Sequence, residues 1–344
     1  MKNFLQKKDV VISFRRYAIE AMGTMTLGIF ASLVMGLIFR EIGSRGTEIE
    51  IELLRRFFVF LYDVGTFAHR ATGFAIGIAV AYGLKAPPLV LFASAAVGFA
   101  GFDLGGPAGA MIAAIIGAEF GKIVSKETKV DIIVTPAVTL VVGIAIAVLI
   151  GTPITWLMDV IGGFIMWSTE LMPALMGGIV AVVVGMLLTS PLSSAAITIA
   201  LGLEGIAAGA AVAGAAANMV GFAVSSYREN KVGGLVSQGL GTSMLQLPNI
   251  MKNPRIWIPP IVASAVVGII SAAVFAMENS MIGAGMGTSG LVGQFAAITV
   301  MGSSAGVFAQ IGIVHFLVPA VVSFAVSEWM RKKGWIKFGD MKIG

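Results

Sequence analysis

The sequence predicts an all-α polytopic membrane protein of about ten transmembrane helices, with re-entrant or broken segments and a weak internal repeat. Three observations carry this reading. Apolar residues make up 57% of the 344 residues and charged residues only 12%, against about 45–50% and about 25% in soluble domains. The mean hydropathy is +0.95. The apolar runs are continuous rather than alternating, as in helices of roughly 20 residues that satisfy their own backbone groups in lipid; a β-barrel would alternate.

The elements follow in order. Spans are expected near 17–39, 60–84, 87–101, 104–121, 131–151, 171–189, 191–207, 208–226, 256–276 and 306–327. Segments 87–101 and 191–207 are short enough to be half-helices or hairpin arms. Stretches 152–168, 233–250 and 280–301 read as re-entrant or interfacial. The mixed-charge segment 43–56, "GSRGTEIEIELLRR", is expected outside the membrane. The chain reads as a single transmembrane domain over 1–344, with a first half at 17–170 and a second at 171–344.

Basic residues cluster at segment ends: Lys7, Lys8, Arg15 and Arg16; Lys122, Lys126 and Lys129; Arg228, Lys231, Lys252 and Arg255; Arg331, Lys332, Lys333 and Lys337. No Lys or Arg occurs between Lys129 and Arg228, or between Arg255 and Arg331. Positive charge marks the cytoplasmic side, so both termini are expected there. The net charge of +5 reports topology rather than nucleic-acid binding.

Three pairs of strings carry the repeat: "APPLVLFASAAVG" (86–98) with "SPLSSAAITIALG" (190–202), "GAMIAAIIGAEFGKIVSKE" (109–127) with "GAAVAGAAANMVGFAVSSY" (209–227), and "VVGIAIAVLIG" (141–151) with "VVGIISAAVFA" (266–276). The second copy carries an insertion at 228–254. Repeats with broken helices mark transporters that bind substrate near the midplane; shared Ala/Gly/Val composition also produces such likeness.

The chain has no cysteine and two histidines, His69 and His315. Disulfides, thiolate metal sites and phosphocysteine are thereby excluded, and neither a metal nor a cofactor is expected. The N-terminus is basic and amphipathic and lacks a signal-peptide pattern. No nucleotide-binding loop is present, and no catalytic residue is assigned.

Candidate binding residues concentrate in "MENSMIGAGMGTSGLVGQ" (277–294). Its five glycines permit positive φ and close approach to a ligand. Glu278 suits paired hydroxyls, and Asn279, Thr288, Ser289 and Gln294 add donors and acceptors. A solvated external loop is the other reading. In 233–254, Gln246 and Asn249 stand with Gln238, Thr242 and Ser243 among apolar residues; this is a polar binding stretch or an interfacial amphipathic helix. His315 lies mid-span, where an ionisable group is a functional candidate or a packed histidine. Asn218 and Glu204 sit where Glu119 and Asp103 sit in the first copy. Asp103, Asp159 and Glu170 suit solvated span ends, His69 an interface, and Glu119 an i,i+3 pair with Lys122.

Several long strings, "VAYGLKAPPLVLFASAAVGFAG", "GGPAGAMIAAIIGAEFGKIVSKETKVDIIVTP", "GFAVSSYRENKVGGLVSQGLGTSMLQLPNIMKNPRIWIPP", "MGTSGLVGQ" and "MRKKGWIKFGD", resemble the stand-alone EIIC-type membrane proteins of the sugar phosphotransferase system, in the perfringolysin-regulator-like subgroup. The resemblance runs over almost the whole chain. It implies a homodimeric permease in a bacterial-type plasma membrane that moves a sugar or sugar-like solute by alternating access. It also implies a glutamate and a histidine that contact the sugar in the C-terminal half, roles open to Glu278 and His315. Phosphoryl groups would come from a separate EIIB protein, itself served by EIIA, because neither domain is fused here. Two other functions are kept: an ion- or proton-coupled secondary transporter of another small solute, and a membrane regulatory protein.

Overall fold

The computed structural model describes residues 2–46 and 50–343. Its described residues form an all-α membrane protein, with a lone backbone bridge between Gly205 and Asn279 as the only strand-like pairing. Residues 47–49 of the mixed-charge segment lie outside the described residues. The chain divides into two compact units, Met1–Leu157 and Met158–Gly344.

In the first unit, helix α1 (Lys2–Lys7) precedes α2 (Arg16–Arg45), a span of 30 residues. Helices α3 (Glu52–Arg70) and α4 (Thr72–Gly83) meet at a 50° bend. The span expected at 60–84 is this bent pair, and α3 begins eight residues earlier because Glu52 pairs with Arg55 and Arg56 one turn on. Helix α5 (Pro88–Val124) starts at a proline, which suits a first turn. It joins two segments expected as separate spans, 87–101 and 104–121. The join is a kink at Gly105 and Gly106, with Gly106 at φ 59°, ψ −155°, a conformation reserved for glycine. Close glycine contacts set the packing: Gly77 lies against Ser94 and Gly98, and Gly101 against Gly109.

Helix α6 (Asp131–Thr169) carries the chain into the second unit. It extends the span expected at 131–151 through 152–168, which are helical rather than re-entrant. Pro153 does not end it. Helix α7 (Pro173–Thr189) is followed by the short α8 (Ser194–Ala200), a turn, and α9 (Gly205–Ser225). The segment expected to span at 191–207 is therefore a broken crossing. Helices α10 (Tyr227–Val236) and α11 (Leu247–Lys252) flank π and 3-10 turns, and α12 (Pro254–Val274) follows. Last come α13 (Met281–Ala284), α14 (Val292–Met301) and α15 (Ala305–Lys332).

Among the described residues, six helices, or seven if the bent pair counts as one, are long and apolar enough to cross a membrane. The ten expected spans are not reached by this measure, because two merge into α5 and others are short or broken. Both units repeat one order of elements: a helix ending before a proline, a broken helix, then a long span.

Helix α9 is the centre of the second unit, with 89% of its apolar window buried. Its small residues let neighbours approach closely: Gly214 meets the Ala181 backbone of α7, and Gly221 meets Pro260 of α12 and Ser323 of α15.

Candidate functional site

The ends of the helices decide how the glycine-rich stretch runs. Ser225 at the end of α9 accepts a hydrogen bond from Arg331 at the end of α15 (3.0 Å), and Ser323 of α15 reaches Pro259 at the start of α12 (3.5 Å). These ends share the basic side. Val274 and Ala305, at the opposite ends of α12 and α15, therefore lie on the far side. Residues 275–304 leave the far side and return to it: they form a re-entrant hairpin. The root is held where the Glu278 amide meets Met301 Sδ (3.3 Å). The tip reaches inward, where Thr288 Oγ1 donates to Gly239 O (2.5 Å) and lies 3.4 Å from Met219 Sδ. Met219 stands six residues, about 9 Å, from the basic end of α9.

The hairpin is buried and closely packed. Ser194 and Thr198 of α8 donate to Gly285 O (2.7 Å) and Met281 O (3.1 Å). Asn279 joins its two arms: its amide nitrogen donates to Gly293 O (2.9 Å), and its oxygen accepts from the Ser280 amide (2.8 Å). Gly287, at φ 54°, turns the tip against the backbone of Ala215 and Ala216, where a Cβ would not fit. Backbone off the helix at this depth is sustained only when buried in protein or beside a cavity.

Beyond the tip, Gln294 of α14 and His315 of α15 face each other at 3.1 Å (Nε2 to Nδ1). His315 is fully buried and Gln294 is 5% exposed. Gln294 Oε1 and His315 Nε2 have no partner. With the amide donating to Nδ1, the ring proton sits on Nε2, and the pair is left with free donors, the ring Nε2–H and the second amide N–H, beside a free acceptor, Gln294 Oε1. Exchanging amide nitrogen and oxygen reverses the roles and again leaves free donors beside a free acceptor. A solvent-excluded donor and acceptor side by side are costly unless filled, and a hydroxyl, which both donates and accepts, fits them.

The structure thus brings Asn279, Thr288, Ser289, Gln294 and His315 into one hairpin and the span beside it. Glu278 lies at the hairpin root, exposed, and its carboxylate has no hydrogen-bond or ion-pair partner among the described residues. Asn218 belongs to a different cluster. It accepts from Trp257 Nε1 (3.0 Å) and Thr189 Oγ1 (3.1 Å) and donates to Ser264 Oγ (2.9 Å); Thr189 in turn contacts Ser243 (2.7 Å). Trp257 also borders an open apolar cleft of about 530 Å³, lined by Val160, Phe164, Met186 and Leu192. Gln246 and Asn249 bond to the C-terminal segment, donating to Met341 O (2.8 Å) and Lys342 O (2.9 Å). Thr189, Ser194 and Thr198 were not singled out from the sequence. Hydroxyls two to seven residues around Pro191 were the available signal, and they read there as ordinary helix-end residues.

In the first unit the pair Glu119–Lys122 is present at 3.1 Å and extends to Arg16, 3.9 Å from Glu119. Lys122 also donates to Asp9 O (2.6 Å), and both Arg16 and Lys122 donate to Leu84 O. The Arg16 guanidinium hydrogen-bonds Asp9 and holds its carboxyl below the usual value of 3.8.

Comparison with curated proteins and with solved structures gave no match. The family model described as "Phosphotransferase system, EIIC" matches residues 19–343. That match takes in every long apolar helix of both units, the re-entrant hairpin and the C-terminal segment. A multi-pass helical protein whose polar residues line a hairpin within the membrane, matched over nearly its whole length, belongs to the EIIC family of phosphotransferase-system membrane subunits.

Proposed function

We propose that this EIIC subunit translocates a neutral, hydroxyl-rich solute, a sugar or a sugar-like polyol, by alternating access, with the hairpin 275–304 as its moving gate. The observation that carries the reading is the buried Gln294–His315 pair, whose Gln294 Oε1 and His315 Nε2 have no partner. Asn279, Thr288 and Ser289 shape the hairpin around it, and Glu278 stands at its outer root, where a carboxylate meets paired hydroxyls first. Neutrality is supported by the absence of Lys and Arg from 129 to 228 and from 255 to 331: an anionic solute crossing there would find no cation to match it. Both termini are placed on the cytoplasmic side by the positive-inside rule, and the assembly is a homodimer in the plasma membrane that presents its basic loops to a separate EIIB protein. Gln246, Asn249 and Asn218 take structural roles in this conformation, since their amides are engaged elsewhere.

A thermal-shift series on detergent-solubilised protein tests the site, because a ligand that binds only the folded state raises apparent stability. A neutral hexose, hexitol or disaccharide is expected to raise the midpoint of wild type. Gln294→Leu and His315→Phe should abolish the shift with the unliganded midpoint nearly kept, and Glu278→Gln should weaken it. Wild-type and Gln294→Leu midpoints that rise equally with the same sugar would contradict the assignment.

A second reading is favoured by a specific observation, the buried cluster of Arg16, Glu119 and Lys122. Glu119 lies buried 3.1 Å from Lys122 and 3.9 Å from Arg16, a charged cluster inside the fold of the kind that an ion-coupled secondary transporter uses. It requires uptake driven by a pH gradient, and loss of that uptake in Glu119→Gln.

A further inference from the structure

The C-terminal residues 334–343 leave the last span and fold back over the insertion between α9 and α12. They are held by main-chain recognition. Asn230 contacts two points of the segment, its nitrogen donating to Met341 O (2.8 Å) and its oxygen accepting from the Ile343 amide (2.8 Å). Gln246 donates to Met341 O and Asn249 to Lys342 O. Asn253 donates to Trp335 O (3.1 Å) and to the Asp340 carboxylate (2.8 Å). Glu229, whose side chain is fully buried, accepts from Arg331 (2.8 Å) and from the Gly339 amide (3.3 Å). Ile336 and Met341 are buried with Phe222, Ile250, Ile256 and Met330. These ten residues are therefore an ordered part of the second unit.

These bonds continue inward. Gln246 uses its second N–H on Gln238 Oε1 (2.8 Å), and its own oxygen accepts from Asn249 (2.9 Å). Gln238 spends both of its N–H groups, on Ser226 Oγ (2.8 Å) and Gly234 O (2.9 Å). Every donor of Gln238 and Gln246 is used, so each has one arrangement rather than several. Gln238 lies in the π-helical turn Ser237–Gly241, and the next residue, Gly239, offers the carbonyl that receives Thr288 at the hairpin tip. The path runs from the segment's backbone through Gln246 and Gln238 to the hairpin, and all three of Gln238, Gln246 and Thr288 are fully buried.

We infer that residues 334–343 are a latch on the re-entrant hairpin: docked, they hold the Ser237–Gly241 turn in the position that captures Thr288 and keeps the hairpin tip closed. Gln246 and Gln238 are positioning residues in this arrangement. Release of the segment leaves two buried amides short of partners and lets the turn and the tip separate. The device sets how readily the hairpin opens, and it does so whatever solute the site takes.

The absence of cysteine from the chain makes a direct test available. Ser289 at the hairpin tip is 4% exposed, and Ser271 on α12 is fully buried. Ser289→Cys and Ser271→Cys are made separately in the full chain, in a chain ending at Lys333, and in the full chain carrying Gln246→Leu. Each is reacted with N-ethylmaleimide in detergent without added solute. A latch predicts that labelling at Ser289→Cys speeds up by about tenfold or more on truncation and by several-fold with Gln246→Leu, as expected for a local opening, while Ser271→Cys stays protected. Unchanged labelling at Ser289→Cys in the truncated chain overturns the inference. So does an equal rise at both positions, which would make the segment a general fold element. A rise on truncation with none for Gln246→Leu overturns the route through the amides. No substrate enters the measurement, so its failure is distinct from failure of the proposed transport function.

Discussion

Asn218 shows how much a single buried amide can organise. Its oxygen takes hydrogen bonds from Trp257 and Thr189 and its nitrogen reaches Ser264, so three helices, α7, α9 and α12, meet on one side chain. Asn218→Leu keeps the size and strands the Trp257 donor, while Thr189 keeps Gly185 O and Ser243 as partners. A stranded group costs about 1–3 kcal/mol. The expected outcome is a lower thermal midpoint, by roughly 1–3 kcal/mol of stability, with far-UV helicity intact below the transition. The sequence singled out Asn218 by its place in the second copy of the repeat, and that much was legible. Its partners were not, because they lie 29 to 46 positions away in the chain and nothing local encodes them. Gln246 and Asn249 teach the same lesson. A polar residue among apolar ones announces that a partner exists, and whether it is a ligand or the chain's own backbone is decided only by the fold.

At the scale of elements, hydropathy located the apolar helices well and their junctions poorly. Residues 87–121 read as two segments around "GFDLGGPAG", yet a glycine at φ 59° lets one helix continue through a kink. Residues 152–168 carry Pro153 and two glycines and read as broken, yet α6 runs through them. Helix-breaking residues are tolerated inside a membrane where neighbours satisfy the freed groups, so punctuation that stops a soluble helix does not stop these. The hairpin was legible as a glycine-rich polar interruption. Its depth was not, since it follows from which ends of α12 and α15 lie together. The N-terminal segment is a further element whose hold has a pH signature. Lys8 pairs with Glu127 and donates to Ser125 O, and Asp9 pairs with Arg16. Because the Asp9 carboxyl is depressed chiefly by the Arg16 hydrogen bonds, its contribution is present above the unfolded value of 3.8 and is lost as pH falls through the folded one. Hydrogen-exchange protection of residues 4–10 should fall as pH is lowered below 3.8 in wild type and be low throughout in Asp9→Asn. Protection constant across that range in wild type would show that Asp9 does not hold the segment.

At the scale of the whole molecule, both units follow one order of elements but differ where function is proposed. The first unit keeps its broken helix as one long kinked span and buries Arg16, Glu119 and Lys122 beside it. The second breaks the corresponding crossing outright, adds the re-entrant hairpin, and buries neutral amides and hydroxyls with His315 around that hairpin, its buried Glu229–Arg331 pair lying at the basic end. The stretches free of Lys and Arg between Lys129 and Arg228 and between Arg255 and Arg331 suit the neutral solute proposed. The most direct test is uptake of a labelled neutral sugar, chosen by thermal shift, into membrane vesicles with and without the soluble phosphotransferase proteins and phosphoenolpyruvate. The account predicts accumulation of the phosphorylated sugar only with the complete donor chain, and its loss in Gln294→Leu. Uptake of unmodified solute driven by a pH gradient alone, unaffected by Gln294→Leu, would contradict it.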